Sequence, residues 1–135
     1  MKPRLLTAFA VISTVLALPA TAHHSFNIFF DMSRTIEIEG VVTSFRLVSP
    51  HSEMLVDVPD AGGEAVTWRI TALTGAAEAR REGWTPEEFI GKQVRVEGNP
   101  TRREGGTAMT AGVVTFADDG RVVCLGGCPG GPEIR

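Results

Sequence analysis

Three histidines are the residues whose type and placement offer this chain a chemistry: His23, His24 and His51. His23 and His24 stand side by side directly after Ala20-Thr21-Ala22, and His51 stands in the chain-breaking run Ser49-Pro50-His51-Ser52. Neutral imidazole is a common ligand of transition metals at neutral pH. A histidine that begins a chain is better equipped still, because its α-amine and its ring Nδ1 can chelate one ion together. One further imidazole completes a T-shaped set of three nitrogens. That set favours Cu(II), which also leads the divalent affinity order at nitrogen sites. The expectation is a copper site in which His23 supplies two donors and His51 or His24 the third. Met32 and Met54 are soft groups that could add a weak ligand or take over for Cu(I), and Asp31 is an oxygen donor for the same centre. The plain alternative is a frayed terminus at His23 and His24, with His51 capping a turn.

Whether His23 begins a chain depends on what precedes it. Lys2 and Arg4 give a positive start, residues 5–18 are an apolar run short for a bilayer, and Ala20-Thr21-Ala22 has the small-x-small pattern of a signal-peptidase site. The expectation is export to the periplasm with cleavage after Ala22. Cleavage after Ala20 would put Leu18 where a small residue belongs, and would leave Thr21-Ala22-His23, which can also hold Cu(II). No later run approaches the roughly 18–20 apolar residues of a membrane helix, so no membrane span is expected. Loss of Lys2 and Arg4 takes the formal charge from −3 to −5. A domain so charged is a poor partner for nucleic acid, whose affinity comes largely from phosphate neutralisation. A metal ion, a small ligand or an envelope protein remain as partners.

Other chemistries are weakly marked. Glu37 and Glu39 read as the wet side of a strand, and Glu87 and Glu88 as helix N-terminal charges. Ser25 and Ser52 lie beside histidines, but adjacency in sequence is not triad geometry. There is no phosphate loop. An enzyme is therefore the least supported class. Arg102 and Arg103 lie in a polar loop, residues 101–106, where small barrels often bind ligands; the alternative is a solvated loop. Cys124 and Cys128, in Cys-Leu-Gly-Gly-Cys, read as a disulfide in an oxidising compartment, with a soft-metal site or redox dithiol as the other options.

The elements that must position these residues are mostly strands. Ile36 and Ile38 alternate with Glu37 and Glu39; after Gly40 the phase flips to Thr43, Phe45 and Leu47. Such a flip predicts a bulge or bend, placed here at the glycine. Met54, Val56 and Val58 mark a second strand, Val66, Trp68 and Ile70 a third. Residues 76–82 are helix formers, with Thr74 as cap and Gly83 as stop. Thr85-Pro86-Glu87-Glu88 is a second helical start with a capping box, and Trp84 and Phe89 plug the core beneath it. Val94 and Val96 mark a fourth strand that leaves at Gly98-Asn99-Pro100, residues 107–116 a fifth, and residues 121–125 a last. Strand, strand, strand, helix, strand, strand is the order of an OB-fold, a small Greek-key barrel, with a small β-sandwich as the alternative. The expected division is a signal peptide over residues 1–22, a barrel over 23–125 and a Gly/Pro-rich tail over 126–135.

His23-His24-Ser25-Phe26 after a leader, the Pro50-His51-Ser52 turn, Trp68 and Gly83-Trp84-Thr85 together resemble a family of exported bacterial proteins. So do Gly91-Lys92-Gln93-Val94-Arg95-Val96 and Asp119-Gly120-Arg121. The family is known as domain of unknown function 6152. The resemblance covers nearly the whole expected mature chain and implies a periplasmic, single-domain β-protein with no activity to carry over. The chain departs from the pattern at Ser49 and Leu47, where the family has Asn and often an aromatic, and in its cysteine tail. The leading expectation is a periplasmic copper-binding or copper-handling protein. The rival is a non-catalytic binding module for a peptide, glycan or envelope protein.

Overall fold

Wherever side chains alternate, the chain is strand: β1 (Ile36–Arg46), β2 (Glu53–Pro59), β3 (Ala65–Ala72), β4 (Gln93–Pro100), β5 (Ala108–Phe116) and β6 (Val122–Cys124). Short helices precede and interrupt them: α1 (Phe26–Phe29), α2 (Ala76–Arg81) and α3 (Pro86–Phe89). The structure is a computed structural model and describes residues 26–126. The expected leader, His23, His24, Cys128 and all of the tail but Gly126 lie outside the described residues.

β1 serves two neighbours in turn. Its residues 36–41 pair with β4 and its residues 41–46 with β2, both antiparallel. β2 pairs with β3 and β4 with β5, also antiparallel, while β3 and β5 run parallel from Arg69↔Ala108 to Ala72↔Ala111. The circuit β1-β2-β3-β5-β4 returns to β1, giving a closed five-stranded barrel, and β6 adds a sixth strand along β5. This is the OB-type arrangement expected from the element order. A sandwich is excluded because the strands form one continuous sheet.

The bend of β1 is not at its glycine. Ile38, Gly40 and Val42 stay in phase and buried, and the register with β2 slips between Val42 and Ser44, so Thr43 is the extra residue and Phe45 turns back inward. Gly40 answers a different need, close approach: a Cβ there would strike the Asp57 carbonyl. Gly98 likewise does not end β4. The strand continues to Pro100 across a bulge at Glu97/Gly98, and a Cβ on Gly98 would collide with the Thr110 carbonyl.

The segment between β3 and β4 closes the barrel floor. Gly75, rather than Thr74, is the N-cap of α2; Thr74 is buried and its N–H donates to the Leu125 carbonyl (3.1 Å). Gly83, at φ 78°, turns the chain after α2 as expected. Glu88 accepts a hydrogen bond from the Thr85 N–H (3.1 Å) with Pro86 in the first helical position. α3 then delivers Phe89, fully buried, against Phe45 (ring centroids 4.5 Å) and Phe116 (5.2 Å), with half-buried Trp84 at 6.4 Å. Burying a Phe contributes about 1.5–3 kcal/mol.

Candidate functional site

His51 sits on a turn held tightly to the barrel. Its neighbour Ser52 is buried, donates its N–H to the Thr74 carbonyl (3.0 Å) and accepts the Ala72 N–H (2.9 Å), so the turn continues the β2–β3 ladder. The Ser52 hydroxyl reaches back to the Val48 carbonyl (3.5 Å), which also accepts the Ala76 N–H (3.1 Å). The half-buried His51 ring places Nδ1 3.4 Å from the Leu73 carbonyl. A carbonyl can only accept, so in a neutral ring this contact favours the proton on Nδ1 and turns Nε2 away from Leu73. Histidines that bind metals are commonly oriented this way, by a backbone carbonyl on the other ring nitrogen.

Phe26 meets this ring edge-on, with centroids 4.7 Å apart and planes at 83°, and stacks on Phe30 at 5.8 Å. Residues 26–31 form a strap, and the loop after β4 holds it. Phe30 pairs with Thr101 across an isolated bridge. The Thr101 hydroxyl and the Arg102 N–H both donate to the Phe29 carbonyl, at 3.3 and 2.9 Å. Arg102 Nε donates to the Asn27 carbonyl (2.8 Å), and its Nη2 lies 3.8 Å from Asp31 Oδ1. The Asp31 N–H donates to the Pro100 carbonyl (2.8 Å). Hydrogen bonds from the Ser33 hydroxyl and N–H hold the Asp31 carboxyl below its ordinary value, helped by the charges of Arg102 and Arg34.

The expected site residues therefore part company. His51 stands at the strap's tip, whereas His23 and His24 lie outside the described residues. Met32 is exposed. Met54 is a correction: it occupies an inward position of β2, opposite Phe45 and Ile70, and at 0 % exposure belongs to the core rather than to any surface centre. Asp31 is an anchor of the strap, its Oδ1 taken by Ser33 and Arg102. Arg102 is engaged with Asn27 and Asp31, yet its side chain is half-exposed and lines the same cleft as Arg103. Arg103 remains exposed beside a cleft of about 450 Å³ shared with Arg34, Ile36 and Trp68. Cys124 ends β6 and is engaged rather than free, and its expected partner Cys128 lies outside the described residues.

Among the described residues no three of His, Cys, Asp and Glu are grouped to hold a metal ion, and no helix is long and apolar enough to cross a membrane. Sequence reasoning missed Leu73, which orients His51, and Phe26, which touches it. Neither carries a local signal, because each acts through a partner more than twenty positions away.

The model of one protein family, described as being of unknown function, matches residues 10–110. No curated protein and no solved structure matches the chain.

Proposed function

The chain belongs to the family of unknown function DUF6152, and from that premise we propose that it is a periplasmic copper-binding protein whose site joins its processed amino terminus to His51. The supporting observation is the contact of Phe26 with His51. Phe26 follows His24 by two residues and His23 by three. A chain spans at most about 3.3–3.6 Å per residue, so the terminus is tethered within roughly 7–11 Å of Phe26. The α-amine and Nδ1 of His23 and the Nε2 of His51 then make up the three-nitrogen set for Cu(II), with His24 in reserve. Export, cleavage after Ala22 and a Cys124–Cys128 disulfide belong to the same proposal. Protein beginning at His23 is expected to take up one Cu(II) with a nitrogen-rich electron paramagnetic resonance (EPR) spectrum. One extra residue before His23 should abolish the amine ligand, and equal uptake by both forms would refute the site.

A second reading rests on the cleft lined by Trp68, Ile36, Arg34 and Arg103. Its apolar wall and exposed guanidinium groups suit a small anionic or sugar-like ligand, or a partner's loop, consistent with a non-catalytic binding module. Ligand-dependent Trp fluorescence that persists when His51 is replaced by Ala would favour this reading.

A further inference from the structure

The barrel is plugged at one end only. β1 and β5 carry Phe45 and Phe116 to the end that α3 fills with Phe89. At the other end Ile36 opens β1, Pro100 closes β4 and Gly106 stands just before β5, and all three line the cleft of about 450 Å³. Trp68 lines it too. Ile36 and Trp68 are half-buried, so this mouth keeps an apolar wall in reach of water. Barrel mouths are regular places for small ligands, and the volume lies within the roughly 300–1,000 Å³ of such sites.

Three charged side chains rim the mouth without an ion pair or a side-chain hydrogen bond among the described residues: Arg34, Arg103 and Glu104. Both arginines are fixed by their backbones. The Arg34 carbonyl accepts a hydrogen bond from Asn99 Nδ2 (2.6 Å), and the Arg103 N–H donates to the Thr101 hydroxyl oxygen (3.2 Å). Arg102 faces Asp31 and offsets its charge, which leaves the other two guanidinium groups in excess over Glu104. An arginine fork fits a carboxylate or a phosphate. The rest of the mouth separates the two. A bare phosphate would leave the Trp68 wall unused and be repelled by Glu104. An aromatic acid would cover that wall but give Glu104 no proton to accept. A sugar acid has a carboxylate, hydroxyl donors and a C–H face at once.

We propose that the open mouth of the barrel binds a hexuronic acid unit, its carboxylate held by Arg34 and Arg103, a hydroxyl by Glu104 and its apolar face by Trp68. This rests on the binding-module reading of the cleft and names its ligand class.

The test follows the Trp68 indole N–H by NMR, its resonance assigned by its loss in Trp68→Phe. Methyl glucuronide and methyl glucoside are titrated separately; they differ only at the carbon that bears the carboxylate. The glucuronide is expected to shift the Trp68 signal and to bind about fivefold tighter or more, the upper range for an exposed charge pair. In the double variant Arg34→Gln/Arg103→Gln the preference should fall below about twofold, with glucoside binding unchanged. Equal binding of the two sugars overturns the inference, as does a preference that survives in the double variant. Tighter binding of benzoate or inorganic phosphate than of the glucuronide at Trp68 also overturns it, and each of these results leaves the binding-module reading standing. If none of the four probes moves the Trp68 signal, or if they move that of Trp84 instead, the inference and the cleft reading fall together.

Discussion

A histidine whose Nδ1 faces a backbone carbonyl has one nitrogen left to offer, and His51 is so placed. On the copper reading proposed above, replacing it with Ala is expected to remove one nitrogen from the Cu(II) spectrum and to weaken binding about tenfold or more, roughly 1.4 kcal/mol per tenfold. Mild acid should leave the strap in place. The Asp31 carboxyl sits below its ordinary value of 3.8 in the folded chain. Its contribution is thus complete above that value and is lost only as pH falls through the lowered one. NMR of metal-free protein at pH 5 is thus expected still to show the Phe26–His51 contact, since the carboxyl that anchors the strap keeps its charge there. The type and position of the histidines made them candidate ligands in the sequence, whereas the Leu73 carbonyl and the Phe26 ring that hold His51 could not be read there. The hold of Arg102 on the strap was equally hidden, because Asn27, its hydrogen-bonding partner, lies 75 positions away in the chain.

At the scale of elements, the barrel depends on two glycines that carry no turn. Gly40 and Gly98 let β1 and β4 press against backbone carbonyls of their neighbours, Asp57 and Thr110. Alanine at either position forces a strand outward and is expected to cost about 1–3 kcal/mol or more, read as a lower urea midpoint with an unchanged slope. Removing Thr43 should do worse, since Phe45 would then face solvent and the aromatic floor would lose a member. The alternation of Ile36, Ile38, Phe45 and Leu47 announced a bulge correctly. It could not locate it, because Gly40 and Val42 are both small enough to be read on either side of the break. Only the pairing partner in β2 decides. Thr74 misled for a related reason. It has the chemistry of a cap, but burial and the Leu125 carbonyl claim it first.

The whole molecule was the most legible level, because element order and one bent strand restrict a short β-chain to few closures. Phe89 is the place to test its unity. It touches Phe45 of β1 and Phe116 of β5 from a four-residue helix, so Phe89→Ala should cost about 3–5 kcal/mol. The loss is expected in a single transition by circular dichroism and by Trp fluorescence alike.

The parallel seam between β3 and β5 brings residue 69 to residue 108, and the β1–β4 pairing is more distant still, with residue 36 meeting residue 98. Such contacts form late, since a long intervening segment must be ordered before they are rewarded. The strap crosses from one bank of that seam to the other: its tip rests on His51 beside Leu73, and its base on residues 100–102. Its two landing places come together only when the seam has closed. The strap thus reports on assembly, because a half-made barrel has no place to seat residues 26–31 and only the completed one offers both landing places.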